Sequence, residues 1–220
     1  MIIERGLRWW LSRVMAVALI IVGLTNAMTL AAQENDTLVV AQFNQQGQLL
    51  KPIDLDHWIH LGSNLGHGYN AENFDPQSPG TFQVVEMEPN AFDFFREHGR
   101  YADGTMIALS FYWAEAKSNP SLNGFSQGQL VGFEIHLIDS QHYNDGRAFF
   151  NFGLEDRADM IAAGNQCVEC HRQEGAFEST FTQFYPKMKK ILQLHQQSIS
   201  GLREGVRLQQ GLEIGPNVFQ

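Results

Sequence analysis

The sequence predicts a mainly β fold of the α+β class, an antiparallel sheet with a few short helices. Residues 105–116 and 130–139 alternate apolar and polar side chains with a period of two, as strands with one buried face do. Asp-Gly turn signals stand beside these segments at positions 103–104 and 145–146. Strands joined by such short turns favour antiparallel pairing.

The predicted elements of the first half of the chain are short. They are, in order, a strand over residues 38–43, a packed segment over 54–62, a loop rich in glycine, asparagine and proline over 64–80, and a strand over 81–87. A short helix is predicted over 89–98, because a proline stands at its first turn and Gly99 follows its end.

The second half supplies the longer strands. Its predicted elements are strands over 105–116, 130–139 and 147–152, a loop over 117–129, and helices over 154–163 and 188–195. The strand over 130–139 has one apolar face, and its other face carries Glu134 and His136. Polar residues that alternate along a strand usually face water, so the pattern alone predicts that both side chains are solvated.

An export signal is predicted at the N-terminus. A basic segment with Arg5, Arg8 and Arg13 precedes an apolar run over residues 14–24. Small residues follow the run, and the chain then becomes polar. This layout predicts a cleaved signal peptide over residues 1–32. The alternative, an uncleaved membrane anchor, matches less well because polar residues interrupt the apolar stretch.

The rest of the chain is predicted to form one domain over residues 33–196, followed by a weakly patterned tail over 197–220. The formal net charge of the full chain is −9. Removal of residues 1–32 takes away three basic residues and one acidic residue, which leaves −11. This acidic balance argues against binding to nucleic acid or to anionic membranes, and it suits docking to a basic redox partner protein.

The most specific motif is Cys-Val-Glu-Cys-His at residues 167–171. This spacing is that of c-type haem attachment, in which Cys167 and Cys170 form thioether bonds to the two vinyl groups and His171 ligates the iron. The chain has only these two cysteines, so a zinc site would lack its second ligand pair, and a redox dithiol would not need the histidine. Because this haem is attached outside the bacterial cytoplasm, motif and signal together predict a periplasmic protein with one haem c.

The sequence does not determine whether a second side chain binds the iron as a sixth ligand. The candidates are scattered without ligand spacing, and a lone histidine or methionine is usually a packing or surface residue. They are His57, His60, His67, His98, His142, His195, Met87, Met106, Met160 and Met188.

The chain resembles cytochrome P-460 and its relative cytochrome c′-beta over residues 43–186. The similarity rests on the order and spacing of several blocks, of which only the haem motif is specific by itself. The blocks are Phe43-Asn44 with Gly47, Trp58 with Leu61-Gly62, residues 87–92, Gly99 with residues 103–105, residues 132–134, Asp139-Ser140, residues 167–171 and residues 181–186. The resemblance implies a homodimeric, mainly β cytochrome whose haem iron has an open distal side.

The resemblance also reveals a departure at Leu109. In cytochrome P-460 a lysine at the matching position is bonded to the haem edge, and that enzyme oxidises hydroxylamine. Leucine cannot form this bond, and the nearest lysine, Lys117, stands eight residues further along. Cytochrome c′-beta lacks the tether and binds small gases in an apolar distal pocket, which Leu109 and Phe111 would suit.

Glu134 matches a distal-pocket carboxylate of the family. Such a carboxylate accepts a proton from a nitrogenous substrate or donates a hydrogen bond to a bound ligand, and burial raises its pKa. The resemblance therefore implies that Glu134 lies in the pocket, while His136 is still expected to face solvent.

Three functions are consistent with the sequence. The first is a c-type haem protein that binds or redox-processes small gases and nitrogenous ligands, such as NO and hydroxylamine, at an open iron. The second is a hydroxylamine-oxidising or peroxidase-like enzyme with Glu134 as its catalytic residue, which the absence of the tethering lysine weakens. The third is a simple electron-transfer cytochrome with a six-coordinate haem. Whether the protein is an enzyme is left open.

Overall fold

The structure is a computed structural model that describes residues 40–68, 75, 78–116, 120 and 123–212. Residues 202–212 are described by their backbone alone. The predicted signal peptide, the start of the predicted strand over 38–43 and Lys117 lie outside the described residues. Among the described residues, no helix combines the length and the apolarity that crossing a membrane requires.

The main sheet is an antiparallel meander. Its strands are β2 (Ile59–Leu65), β3 (Thr81–Met87), β4 (Thr105–Ala116), β5 (Phe125–Ile138) and β6 (Arg147–Gly153), in this order across the sheet. A smaller antiparallel pair joins β1 (Leu49–Leu50) to β7 (Arg157–Ala158). Each strand of the main sheet pairs with its neighbours in sequence, which confirms the predicted mainly β, antiparallel fold.

The described residues form three α-helices, which are α1 (Pro89–His98), α2 (Gln166–Glu174) and α3 (Pro186–Leu212). The predicted helix over 89–98 is confirmed, and its ends have clear causes. The Glu88 carboxylate accepts a hydrogen bond from the Ala91 amide across 2.7 Å at the start. Gly99, with φ of 65°, adopts the left-handed conformation that terminates the helix.

Both faces of the main sheet are covered. One face packs a core that includes Phe133, Ile135 and Leu137 of β5. The opposite face packs a second core in which strand residues meet Phe95 of α1 and Met188 of α3. In the first half of β4 and the second half of β5, side chains on either face are therefore mostly buried or half-buried. The second face carries the candidate site.

The predicted helix over 154–163 is wrong. The chain turns at Gly153, whose φ is 54°, and then pairs as β7 with β1, while Met160 forms a bridge to Phe150 of β6. This pairing buries Ala158 in the first core, to 4% exposure. Tertiary burial and strand pairing outweigh the modest helix propensity of the segment.

Other boundaries differ by a few residues. The packed segment over 54–62 contains a short 3-10 turn at Leu55–His57 and most of the bulged strand β2, which extends to Leu65. β5 begins at Phe125, inside the predicted loop, and within residues 40–43 only Phe43 forms a β-bridge, to Leu49. The helix predicted over 188–195 begins at Pro186 and continues past residue 196.

Candidate haem-binding site

A cavity of about 470 Å³ lies against the second face of the sheet. This volume falls within the range of about 300–1,000 Å³ that small-molecule and cofactor sites occupy. The lining includes Cys167, Cys170, His171, Leu109 and Glu134. All five residues selected from the sequence therefore meet at one cavity.

The haem motif itself forms α2, a helix that the sequence analysis had not predicted. The Asn165 side chain begins the helix by accepting a hydrogen bond from the Cys167 amide across 2.9 Å. Residues three and four apart lie on one helix face, so Cys167, Cys170 and His171 are presented together. Neither cysteine is in a disulfide, so both thiols are free to react.

A main-chain carbonyl orients the imidazole of His171. Its Nδ1 lies 3.0 Å from the carbonyl oxygen of Ser179. Because a carbonyl only accepts hydrogen bonds, Nδ1 carries the proton and donates it. In the neutral ring Nε2 then keeps its lone pair, which is the state that an axial iron ligand requires.

The turn that supplies this carbonyl has an uncommon backbone. Glu178 and Ser179 have φ values of 46° and 57°, which non-glycine residues rarely adopt. The Nε–H of Arg147 donates to the carbonyl of Glu178 across 2.9 Å, and the Gln183 side chain bonds two main-chain groups of the same segment. These bonds hold the strained turn in place beside His171.

Gly175→Ala is expected to disturb this ligand geometry. A Cβ at position 175 would lie 2.5 Å from the carbonyl oxygen of His171 and 2.7 Å from Cα of Ser179. Both are main-chain atoms, so the turn must move and with it the acceptor of the His171 proton. We expect a loss of about 1–3 kcal/mol in the free energy of unfolding, as overpacking usually costs. Denaturant unfolding of the haem-loaded protein measures this loss, and the iron–histidine stretching band in resonance Raman spectra measures the change at His171.

Gly201→Ala is the matched control. Gly201 lies in α3, and a Cβ there would meet nothing within 4 Å. This variant should be as stable as the parent or up to about 1 kcal/mol more stable, because alanine is the better helix former. Equal behaviour of the two variants would show that the turn at Gly175 does not constrain His171.

Aromatic rings enclose His171. Its ring centroid is 4.7 Å from that of Phe149, 4.5 Å from that of Phe181 and 5.5 Å from that of His136. Burial lowers the pKa of His171, and the hydrogen bond to Ser179 opposes this shift. The apolar surroundings thus favour the neutral ring, which is the form that can ligate a metal.

Leu109 and Glu134 are neighbours on the cavity face. They are directly opposite each other in the register of β4 and β5, and Leu109 also pairs with Val85 of β3. Burial raises the pKa of Glu134. Burial, and next the negative charge of Glu134, also raise the pKa of the Cys167 thiol, and both residues line the cavity.

The expectation that His136 faces solvent is wrong. Its side chain is only 7% exposed, it lines the cavity, and it stacks on Phe149 with ring centroids 4.2 Å apart. Burial, then the charges of His171 and Arg147, lower its pKa well below the usual value, so the ring is neutral near pH 7. The alternation along β5 was read correctly, but helices and the cavity cover the face that the pattern assigned to water.

Two of the candidate sixth ligands line the cavity. They are His67, whose ring packs edge-on against Phe184, and Met188, which is fully buried in the second core.

Several of the other candidate histidines already form hydrogen bonds with protein groups. His60 bonds Ser63, His98 bonds the Phe94 carbonyl, His142 bonds Asp139 and His195 bonds the Arg96 carbonyl.

Sequence reasoning missed several residues that shape the site. Ser179 acts through its main-chain carbonyl, and the side chain of Arg147 bonds the neighbouring carbonyl of Glu178. The sequence has no signal for either contact. Gly175 directly follows α2, and a glycine at the end of a helix signals a constrained turn, but no helix was predicted over the haem motif.

The site fits a covalently attached haem c. It offers two free thiols and an imidazole with an available Nε2, all on one short helix that borders a largely apolar cavity. His136 also lines the cavity, but its Nε2 is buried within the protein and has no hydrogen-bond partner among the described residues, so the fit to haem rests on the thiols and the imidazole of His171.

Comparisons with known proteins agree with this geometry. The family model described as Cytochrome P460 matches residues 54–182, more than half of the chain. The match runs from just before β2 to the turn that follows α2, and so includes the whole haem motif. A search of curated proteins found no match.

Proposed function

Since the chain belongs to the cytochrome P460 family, we propose that it is an exported c-type haem protein whose open iron site binds or redox-processes small nitrogenous ligands such as NO and hydroxylamine. The observation that carries this proposal is the single cavity that unites the two thiols, the oriented imidazole and Glu134. The predicted signal peptide supports a periplasmic location. The family resemblance supports a homodimer, and the acidic charge supports a basic redox partner protein.

Each group at the site has a defined task in this proposal. When bound, the haem supplies an iron that coordinates small ligands and exchanges single electrons. Cys167 and Cys170 would hold the haem through thioether bonds, and His171 would ligate its iron through Nε2. Leu109 keeps this part of the cavity apolar and so limits access by water.

Glu134 is the acid-base group of the proposal. Above its raised pKa the carboxylate accepts a proton from a nitrogenous ligand, and below that pKa the carboxyl group donates a hydrogen bond. Passive binding of a gas needs no such group. Glu134 is therefore the specific observation that favours the second candidate function, a hydroxylamine-oxidising or peroxidase-like enzyme.

Glu134→Gln is expected to remove the pH dependence of ligand binding or turnover. The amide can donate a hydrogen bond but cannot take up a proton. At pH values above the raised pKa, affinity or rate for hydroxylamine should therefore fall about ten- to a hundred-fold, the equivalent of about 1.5–3 kcal/mol for one charge-assisted hydrogen bond. Spectroscopic titrations and turnover with NO, hydroxylamine and peroxide across the pH range measure the effect.

The stability of this variant separates chemistry from misfolding. Folding raises the pKa of Glu134, so the stability linked to this group is complete below the usual glutamate value of 4.5 and is lost as pH rises through the folded pKa. Glu134→Gln should thus be at least as stable as the parent near pH 7, with its haem content intact. A variant whose reactivity matches that of the parent at every pH would identify Glu134 as a spectator and favour passive gas binding or electron transfer.

Leu109→Ala is the matched control on the neighbouring strand. It enlarges the cavity beside Glu134 without changing an ionisable group, so it should alter ligand access and leave the pH profile as in the parent. A pH profile that changes in Leu109→Ala as it does in Glu134→Gln would show that cavity shape, and not the carboxyl group, controls it.

The optical spectrum tests the open iron site. A five-coordinate haem that binds NO supports the proposal. A six-coordinate, low-spin spectrum and no reaction with NO would support the electron-transfer cytochrome, with Met188 or His67 as the first residues to examine as ligands.

A further inference from the structure

Two consecutive residues in the turn beside His171 have a backbone conformation that their side chains disfavour. Glu178 and Ser179 both have positive φ values, of 46° and 57°. The Thr180 amide donates a hydrogen bond to the Phe177 carbonyl oxygen across 2.9 Å, so these four residues form a closed turn. Two successive positive φ angles are characteristic of the type I′ turn, whose central positions usually hold asparagine and glycine. A turn of this kind without those residues needs contacts that hold it.

The strained conformation has a direct consequence for the axial ligand. The carbonyl oxygen of Ser179 accepts the Nδ1 proton of His171, at a distance of 3.0 Å. The φ angle of Ser179 sets the direction of the main chain that follows, so a change to the common negative value would move this oxygen away from Nδ1. The hydrogen bond to His171 therefore depends on the turn keeping its left-handed conformation.

The side chain of Arg147 holds the centre of this turn. Its Nε–H donates to the carbonyl oxygen of Glu178 across 2.9 Å, and its Nη1–H donates to the carbonyl oxygen of Asp145 across 2.8 Å. Arg147 is half-buried and begins β6, so the two bonds tie the turn to the end of a sheet strand. The Glu178 carbonyl belongs to the peptide group between the two strained residues, and this group must rotate when a turn changes its type. Such a rotation would break the bond to Arg147.

The ends of the turn are fixed separately. The Thr180 hydroxyl group donates to the Phe177 carbonyl oxygen across 2.6 Å. The hydroxyl of Tyr101 lies 2.9 Å from the same Thr180 oxygen and donates to it, and both residues are buried. These contacts hold the first and last residues of the turn, while the bond from Arg147 acts on the peptide group at its centre.

We propose that Arg147 is a positioning residue for the axial ligand. By holding the turn in its left-handed conformation, it keeps the Ser179 carbonyl on Nδ1–H of His171. A well-placed acceptor at Nδ1 makes Nε2 the stronger donor to a metal, and the strength of the axial donor affects the reduction potential and the affinity of a haem iron for other ligands. This inference rests on the haem attachment of the proposed function and assigns to Arg147 the control of how strongly His171 binds.

The test uses the ferrous haem-loaded protein and the iron–histidine stretching band in its resonance Raman spectrum. Arg147→Met keeps a long, unbranched side chain but removes both donors, so the hydrogen bond at Nδ1 should weaken and the band should move to lower frequency. Arg172→Met is the matched control. It removes a cation directly after His171, whose guanidinium bonds the Glu169 carboxylate, and the band should stay where it is in the parent.

A second substitution separates the hold on the turn from the charge of Arg147. Glycine adopts positive φ without a steric penalty, and its main chain offers the same carbonyl acceptor. Ser179→Gly, added to Arg147→Met, should therefore restore at least part of the shift in the band. A shift caused by the lost charge would not be restored in this way.

The same comparison can be made by NMR if the iron is six-coordinate, since the ferrous low-spin protein is diamagnetic. With ¹⁵N-labelled histidine, the Nδ1 proton of His171 should exchange with water faster in Arg147→Met than in the parent. The exchange should slow again when Ser179→Gly is added.

Three results overturn the inference. They are a band and a proton exchange rate that are identical in Arg147→Met and the parent, an equal change in Arg172→Met, and a change that Ser179→Gly does not reduce. If Arg147→Met fails to retain haem, the double variant decides. Recovery of haem on addition of Ser179→Gly supports the inference, and an equal failure of the double variant overturns it.

Failure of this inference differs from failure of the proposed function. A chain without covalent haem removes the proposed function itself. A chain that carries haem c and binds NO, with His171 unaffected in Arg147→Met, removes only the role of Arg147.

Discussion

Replacing both Cys167 and Cys170 by serine should abolish covalent haem attachment. The two thiols lie on one face of α2 and line the cavity, where each would supply one thioether bond to the proposed haem. Without these bonds the haem is held only by His171 and by packing, so denaturation should release it. The mass of the denatured chain, produced in a host that matures c-type haem, should exceed that of the bare polypeptide by one haem in the parent and by none in the double variant.

The single variants serve as controls for this result. Cys167→Ser and Cys170→Ser each keep one thioether bond, so each should retain haem through denaturation, in lower yield than the parent. A parent protein that carries no covalent haem under these conditions would contradict the cofactor assignment and, with it, every proposal about the iron.

Leu109→Lys should allow a covalent bond between the lysine and the haem and so change the absorption spectrum. The parent is expected to show the bands of ordinary haem c, because leucine cannot form the lysine-to-haem bond that the resemblance implies for cytochrome P-460. Leu109 lines the cavity opposite Glu134, so an amine at this position reaches the same cavity and gains a neighbouring carboxylate. The reduced spectrum of the variant should gain the red-shifted band of that family, and peptide mapping should show a chain segment cross-linked to haem through residue 109.

Leu109→Met is the control for this substitution, because it changes the side chain without adding an amine and should keep the spectrum of the parent. A Leu109→Lys spectrum that is identical to that of the parent, in a protein with full haem content, would show that position 109 does not correspond to the tethering position. A red-shifted band in the parent, or a parental peptide joined to haem through Lys117, would contradict the assignment of ordinary haem c.

The sequence by itself determined the sheet and the haem motif. Alternation along residues 105–116 and 130–139 predicted β4 and most of β5, because a period of two is an intrinsic property of extended backbone. The motif at 167–171 predicted the attachment chemistry, because its spacing is set by the haem and not by the fold.

Local patterns were less informative for a segment that can form either a helix or a strand. Residues 154–163 have a composition that a helix tolerates, yet they form a turn and β7, because pairing with β1 and burial of Ala158 stabilise that path. The strand partner, β1, lies about a hundred residues earlier in the chain, so no local window contains the deciding contact.

Only the tertiary structure decided what lies on the polar face of β5. Alternation shows that Glu134 and His136 share a face, but it cannot show whether water or protein covers that face. The second core, α2 and the turn at Ser179 cover it, so a face that reads as solvated becomes the wall of the cavity. The orientation of His171 could likewise not be predicted from the sequence. Its hydrogen-bond acceptor is a main-chain carbonyl in a left-handed turn, and because every residue has a carbonyl, the sequence does not show which one accepts the bond.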